Sequence, residues 1–183
     1  MIDIQHKNSN RGFSLIETIV GIAILLIGIT PPLLLVYRTL QATEIARDQV
    51  IATYLAEEGM EYVRFVRDTN VLHGNAWLNK LNVCSNGTPC DINDIMNNPI
   101  SGPSPVKNCS GDPCSALEFD TATGRYVSSG GDYETIFHRS ITIDDTTYGP
   151  DEADVIVDVN WQPRIGSAKT TTLKEHLFNW TGL

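Results

Sequence analysis

The apolar residues of this chain are concentrated near its beginning. Residues 13–37 are almost entirely apolar, and Glu17 is the only charged side chain among them. As a straight helix this segment would be about 37 Å long, which is enough to cross a hydrocarbon core of about 30 Å. The pattern therefore predicts a membrane-spanning helix that carries one carboxylate near its start.

A pattern typical of an amphipathic helix follows directly, over residues 38–68. This segment contains no proline and one glycine. One face consists of small and apolar residues three or four positions apart, which are Ala52, Leu55, Ala56, Gly59, Val63 and Val66. The opposite face consists of charged residues at similar steps, which are Glu57, Glu61, Arg64 and Asp68. We therefore predict one long helix over residues 13–68, whose outer half needs a partner for its apolar face.

From residue 117 onward, stretches with a period of two residues are typical of β-strands. Residues 154–161 alternate most clearly, and their apolar face consists of Val155, Val157, Val159 and Trp161. A hairpin and two further strands are predicted over residues 117–127, 135–143 and 169–178. We predict an antiparallel sheet of about four strands that covers the apolar face of the outer helix.

The composition narrows the possible function classes. The 183 residues include 13 basic and 22 acidic side chains, for a formal net charge of −9. An acidic chain without a Lys/Arg-rich tract lacks the electrostatic surface that binds nucleic acid, and it lacks a basic patch for anionic lipid. No nucleophile elbow, phosphate-binding glycine loop or His-Glu-x-x-His motif occurs. The sequence therefore predicts neither an enzyme nor a cofactor.

All four cysteines lie in two short clusters, Cys84 with Cys90 and Cys109 with Cys114. If this region lies outside the cytoplasm, disulfides are the expected state, and local pairing within each cluster is our first choice. Cross-pairing stays open, because four cysteines allow three connectivities. A four-cysteine zinc site is the rival interpretation, although these spacings are looser than those of most structural zinc sites.

Carboxylates cluster around a Gly-Pro loop, and they are Asp144, Asp145, Asp151, Glu152 and Asp154. Such a cluster could bind calcium, but its spacing differs from the twelve-residue helix–loop–helix pattern. We interpret it as a solvated acidic loop and predict no metal site. The four histidines are scattered along the chain at His6, His73, His138 and His176.

The residues before the apolar run indicate its orientation. Residues 1–12 contain Lys7 and Arg11 against one acid, Asp3. Basic residues stay on the cytoplasmic side, so we expect this short leader inside and everything after the run outside. The same layout fits a secretory signal peptide, but residues 37–45 offer no convincing small-x-small cleavage site. This layout of a basic leader before an apolar run also fits a membrane anchor that is not cleaved.

The string Gly12-Phe13-Ser14-Leu15-Ile16-Glu17 strongly resembles the cleavage and methylation motif of type IV prepilins and the related pseudopilins. The resemblance implies that a membrane-embedded aspartyl peptidase cuts between Gly12 and Phe13 and methylates the new amine of Phe13. It also implies that Glu17 serves assembly, with the N-terminal amine of a neighbouring subunit as its partner. A carboxylate at the centre of a membrane helix costs about 2.5–3.5 kcal/mol, and less toward the interface. Alternatively, Glu17 is a polar residue tolerated near the interface of a simple anchor.

Helix-disfavouring residues lie inside the apolar run at Gly28, Pro31 and Pro32. Proline in a helix interior removes a hydrogen bond and clashes with the preceding turn, at a cost of about 3 kcal/mol or more. These residues predict a kink or a locally unwound stretch. Many type IV pilins resemble this chain in carrying a helix breaker in the same part of the stem.

The resemblance implies an α+β fold with the lollipop shape of type IV pilins, in which a long N-terminal helix packs on a C-terminal antiparallel β-sheet head. The expected parts are a removed leader, a membrane or filament-core helix, the outer half of the stem and a disulfide-containing head, over residues 1–12, 13–37, 38–68 and 69–183. We expect a structural subunit of a type IV pilus-like filament. The long irregular segments and the paired prolines favour a minor pilin over a major one.

Two alternatives stay open. A pseudopilin of a type II secretion system would have the same stem, and an uncleaved, membrane-anchored extracellular binding domain belongs to another class. The implied partners are the prepilin peptidase and methyltransferase, other pilin subunits, the inner-membrane assembly machinery and, before assembly, membrane lipid. The expected location is a single pass through the inner membrane with the head outside, followed by the extracellular pilus. The head could serve adhesion, tip priming, DNA uptake or secretion.

Overall fold

The computed structural model describes residues 12–92, 104, 106–111 and 113–180. The chain divides into two compact units, Met1–Thr43 and Glu44–Leu183. The leader predicted from the sequence, with Lys7 and Arg11, lies outside the described residues except for Gly12.

A single helix, α1, runs over Leu15–Leu72 and contains 58 residues. It confirms the long helix predicted from the sequence. Threonine side chains along α1 donate to the carbonyl oxygen four residues earlier, as Thr30 does to Leu26 at 2.7 Å and Thr39 to Leu35 at 2.8 Å. These hydroxyl groups are thereby satisfied within the helix, so they are compatible with an apolar environment.

The helix continues without interruption through Gly28, Pro31 and Pro32. Proline has no N–H, so the carbonyl groups of Ile27 and Gly28 lose the donors they would have four residues later. Proline also fixes φ near −65°, which is itself helical, and the backbone keeps its helical path here. The locally unwound stretch is therefore not present in this structure, whereas the kink stays a prediction.

Among the described residues, a short 3₁₀-helix at Asn82–Cys84 and eight strands follow α1. The strands are β1 (Cys90–Ile92), β2 (Val106–Asn108), β3 (Glu118–Asp120), β4 (Arg125–Val127), β5 (Tyr133–Glu134), β6 (Phe137–Asp144), β7 (Glu152–Trp161) and β8 (Lys169–Phe178). A five-stranded sheet has the order β2-β1-β6-β7-β8, and a three-stranded sheet has the order β4-β3-β5. All of these strand pairs are antiparallel.

The predicted sheet is confirmed in its antiparallel pairing but is wrong in its size. The hairpin β3–β4 and the three strands β6, β7 and β8 follow the predicted segments. The additional strands β1, β2 and β5 contain only two or three residues each. Segments this short show no periodicity, so only their pairing with neighbouring strands makes them strands.

The core of the second unit lies between the outer half of α1 and the five-stranded sheet. The six small and apolar helix residues predicted to share one face are all buried. On β7, the four residues Val155, Val157, Val159 and Trp161 are buried as the alternation predicts. Full burial of a valine side chain contributes roughly 1.5–3 kcal/mol, so this face stabilises the unit chiefly through the hydrophobic effect.

Gly59 lies in close contact with the sheet. A Cβ atom at this position would lie 3.0 Å from Cγ1 of Val157, 3.3 Å from Cδ of Arg139 and 3.7 Å from Cδ1 of Ile141. These side chains come from β6 and β7, the middle of the sheet. The missing side chain therefore lets α1 lie directly on the central strands.

The guanidinium of Arg139 lies in this interface with only 1% of the residue exposed. Its Nε donates to Asp91 Oδ1 at 2.7 Å, and its Nη1 donates to Glu58 Oε2 at 2.8 Å. Burial by itself would lower the pKa of Arg139, but the charges of Asp91 and Glu58 outweigh it and raise the pKa above the usual value. Arg139 on β6 thus connects α1 through Glu58 and β1 through Asp91.

Replacing Arg139 is expected to destabilise the second unit strongly, because Asp91 is only 2% exposed and would be left as a buried, unpaired carboxylate. We expect Arg139→Met to lower the free energy of unfolding by about 3–5 kcal/mol, measured by chemical denaturation of the full chain in detergent. Combining it with Asp91→Leu removes the stranded charge and should recover most of the loss.

The matched control is Arg64→Met, because Arg64 pairs with Glu61 and Glu175 while 37% of its side chain stays exposed, against 1% for Arg139. Exposed ion pairs contribute about 0–1 kcal/mol, so this variant should change stability little. Equal losses for Arg64→Met and Arg139→Met would contradict a special contribution from the buried guanidinium.

Candidate processing and assembly site

The first turn of α1 is closed by Ser14. The backbone N–H of Glu17 donates to the Ser14 carbonyl at 3.1 Å and to the Ser14 hydroxyl at 3.3 Å, and Thr18 N–H donates to the same carbonyl at 3.2 Å. Ser14 is therefore the N-cap residue, and Glu17 is the third residue of the helix. A carboxylate in the first turn also interacts favourably with the positive end of the helix dipole.

The order Ser-x-x-Glu at residues 14–17 is the sequence pattern of a capping box. Sequence reasoning considered Glu17 as an assembly residue or as a tolerated polar residue of a simple anchor, and it missed this local contribution, although the spacing could have indicated it. The charge of Glu17 therefore stabilises the N-terminal end of α1, independently of any other group that Glu17 binds. Any test of Glu17 has to separate these two contributions.

The peptide bond between Gly12 and Phe13 lies before the first helical residue. Phe13 is 81% exposed, and no atom lies within 4 Å of the position that a Cβ of Gly12 would occupy. A backbone outside a helix has no intrahelical hydrogen bonds to break before it enters an active site. The helix therefore begins at its Ser14 cap, just after the Gly12–Phe13 bond, which the prepilin resemblance predicts to be cleaved.

Phe13 and Glu17 lie on one side of the helix start. They line a shallow surface groove together with Thr18, Gly21, Ile22 and Leu25. Within residues 12–40 every side chain is exposed, so an apolar surface surrounds the single carboxylate. Among the described residues, α1 is the one helix that is long and apolar enough to cross a membrane, with a mean hydropathy of 2.6 in its most apolar window.

The cysteines form two local pairs, Cys84–Cys90 and Cys109–Cys114. Their Cα atoms are 5.1 Å and 4.9 Å apart, within the usual range for disulfides. The first loop contains a tight turn in which Asn86 and Gly87 have positive φ and Thr88 N–H donates to the Ser85 carbonyl at 3.1 Å. In the part of the chain that the structure describes, no group of three or more His, Cys, Asp or Glu side chains is arranged to hold a metal ion.

The acidic loop is organised by Asp144. Its carboxylate accepts from the backbone N–H groups of Thr146 at 3.1 Å and Thr147 at 3.2 Å and from both threonine hydroxyls. The Thr147 hydroxyl, followed by the Thr146 donors, lowers the pKa of Asp144 to about 2. Because these oxygens already serve the loop itself, Asp144 caps the turn rather than presenting a free ligand.

His176 joins two of the loop's carboxylates, which sequence reasoning did not foresee. Its Nδ1 lies 2.7 Å from Asp154 Oδ1 and its Nε2 lies 3.1 Å from Glu152 Oε2. The hydrogen bond with Asp154, and then the one with Glu152, raises the pKa of His176. The β7–β8 register places Asp154 directly opposite His176. The residue pattern of either strand alone does not predict that register.

A family model described as the prokaryotic N-terminal methylation motif matches residues 7–31. This is the type IV pilin and prepilin signature, and it covers the helix start, Glu17 and the first of the two prolines, Pro31. The signature supports a type IV pilin-like or pseudopilin protein, a structural class rather than an enzymatic one. Searches of curated proteins and of solved structures returned no significant match.

The raised pKa of His176 predicts a pH dependence of stability. A histidine whose folded pKa exceeds its unfolded value of about 6.5 stabilises the fold fully below that value. This contribution is lost as the pH rises through the folded pKa. We therefore expect thermal stability to fall as the pH rises from about 6 to 8, and we expect NMR titration to place the His176 midpoint above that of a free histidine.

The control for this pH dependence is His176→Phe, which keeps a ring between Tyr148 and Phe178 but does not titrate. It should remove this part of the pH dependence. A His176 midpoint at or below that of free histidine would contradict the argument.

Proposed function

We propose that this chain is a structural subunit, most like a minor pilin, of a type IV pilus-like filament. The observation that carries the proposal is the methylation motif at residues 7–31 at the start of an exposed apolar helix. The Ser14 cap leaves the Gly12–Phe13 bond outside that helix. Cleavage there removes the basic leader and creates a new amine at Phe13.

Assembly then gives Glu17 a partner. Its carboxylate is surrounded by apolar side chains on the helix surface, where a lone charge is unfavourable. The methylated amine of Phe13 on a neighbouring subunit supplies the opposite charge. Pairing the two in a low-dielectric environment is strong only at contact distance, so it favours one axial register between neighbouring stems.

The rest of the chain supports an extracytoplasmic head. Lys7 and Arg11 precede the apolar run, and basic residues at this position favour a leader on the cytoplasmic side. The two cysteine pairs belong to the second unit, and disulfides persist in oxidising compartments. The protein would thus pass once through the inner membrane before joining the extracellular filament. The paired prolines disfavour the close, repeated stem packing of a major subunit.

The proposal predicts a processed N-terminus in protein isolated from its native membranes. Mass spectrometry of the N-terminal peptide, without reduction, should find a chain that begins at N-methylated Phe13. A chain that begins at Met1 in cells with an active prepilin peptidase would overturn the filament proposal and favour the uncut anchored domain. The intact mass from the same sample should lack four thiol hydrogens if both cysteine pairs are oxidised.

The role of Glu17 can be separated from its helix cap by a set of three variants. Glu17→Gln retains a side chain that suits the capping box but loses the charge, so we expect normal membrane insertion and filament yield reduced at least tenfold. Glu17→Ala should behave in the same way. Ser14→Ala weakens the cap, at a cost of about 0.5–2 kcal/mol, but leaves the charge and should still assemble.

Filament yield is measured by shearing and sedimentation, with insertion checked by membrane fractionation. Assembly of Glu17→Gln at the wild-type level would show that the charge is dispensable. If none of the three variants changes the amount of sedimented protein or its membrane insertion, the chain behaves as an anchored domain that does not polymerise.

A further inference from the structure

Two loops of the large sheet lie at opposite ends of β7. The β6–β7 connection precedes Glu152 and the β7–β8 connection follows Trp161, and ten residues of β7 separate them. Ten strand residues span roughly 33 Å. We call residues 144–152 the acidic tip and residues 162–169 the basic tip.

The acidic tip combines negative charge with exposed aromatic surface. It contains four carboxylates and no basic residue, the carboxylates being Asp144, Asp145, Asp151 and Glu152. Tyr148 is 51% exposed and packs edge-to-face on His176, with ring centroids 4.7 Å apart. Phe178 also packs edge-to-face on His176, with ring centroids 4.7 Å apart.

The acidic tip is held by hydrogen bonds from neighbouring segments as well as by its own. The Trp77 indole N–H donates to the Pro150 carbonyl at 3.0 Å. The Asn179 backbone N–H donates to the Asp151 carbonyl at 2.8 Å, and the Asn179 amide donates to the Asp151 carboxylate at 2.9 Å. A surface fixed in this way loses little conformational entropy when a partner binds it.

The basic tip has the complementary character. It contains Arg164 and Lys169 and no acidic residue. Arg164 is exposed, and none of the ion pairs found among the described residues includes it. Ile165 beside it is 48% exposed. Gln162 Nε2 donates to the Gly166 carbonyl at 2.8 Å, which closes the loop.

We propose that the acidic tip of one copy binds the basic tip of a second copy of this chain. Arg164 would then lie against the Tyr148 ring and beside Asp151, which combines a cation–π contact with a charge pair. The two tips face opposite ways along the same strands, so each copy can use both at once. Such a head-to-tail contact is heterologous, so it joins adjacent copies in an open row rather than a closed dimer, and a minor subunit forms it only where its copies are neighbours. This inference deepens the proposed function by naming a contact between heads.

The contact can be tested on the full chain in its native membranes with a zero-length carbodiimide, which joins a lysine amine to a carboxylate as an amide. We expect amides between Lys169 and Asp151 or Glu152, identified by peptide mass spectrometry. Lys169 pairs with Trp161 at the far end of β7 from Glu152, so the span of roughly 30 Å excludes such a link within one copy.

The same digest contains its own controls. Lys174 Nζ lies 2.8 Å from Asp154 Oδ2, so a Lys174–Asp154 amide shows that the reagent worked. That amide without any link from Lys169 to the acidic tip overturns the contact, and links from the acidic tip to lysines of another protein overturn it in favour of that partner. The N-terminal peptide reports the proposed function separately, because a Met1 start would overturn processing whether or not the Lys169 links are present.

Charge reversal tests the specificity of the contact. Arg164→Glu should lower the yield of Lys169 links about fivefold, the scale of one lost cation–π and charge contact. Adding Asp151→Arg to that variant should restore the links, with Glu152 as the remaining carboxylate. Lys107→Glu makes the same charge change on β2, at the other edge of the sheet. Equal losses for Lys107→Glu and Arg164→Glu would overturn the assignment to these two tips.

Discussion

The buried guanidinium of Arg139 is the interaction on which the second unit depends. Hydrophobic contacts hold α1 to the sheet, but they are not directional. The two hydrogen-bonded charge pairs of Arg139, with Glu58 on the helix and Asp91 on β1, set one position for the helix along the strands. Gly59 lies next to Glu58 in sequence and allows the close approach that these bonds require. The register of helix, β1 and β6 therefore follows from one charge that has to be satisfied away from water.

In the first unit the problem is not a buried charge but exposed apolar surface. Its apolar side chains are exposed over the whole of residues 12–40, an area far beyond what a soluble monomer leaves uncovered. In the proposed function, lipid before assembly and neighbouring stems after it are both apolar, so one helix surface suits both environments. Glu17 differs from this surface in charge, and under that proposal its pairing distinguishes one arrangement of stems from many that are equally apolar. The threonine hydroxyls do not interfere, because they are bonded within the helix.

Much of this fold could be predicted from the sequence where the signal is local. The apolar run, the amphipathic outer helix and the alternation of β7 each depend on residues close together in the chain. The strands β1 and β2 were not predicted, because three residues carry no periodicity, and because β1 is recognised only through its pairing with β6 and β2 through its pairing with β1. For the same reason Asp91 could not be recognised as the partner of Arg139. His176 and Asp154 are 22 positions apart and meet only through the β7–β8 register.

The sequence by itself determined the processing motif, the apolar stem with its single carboxylate, and the type of the longer elements. These features depend on composition and spacing within one segment, which a linear pattern contains in full. Only the tertiary structure decided which charges are buried together, how the short strands join the sheet, and that an acidic and a basic loop lie at opposite ends of it. Those outcomes depend on strand order and register, which are set by contacts between segments far apart in the chain.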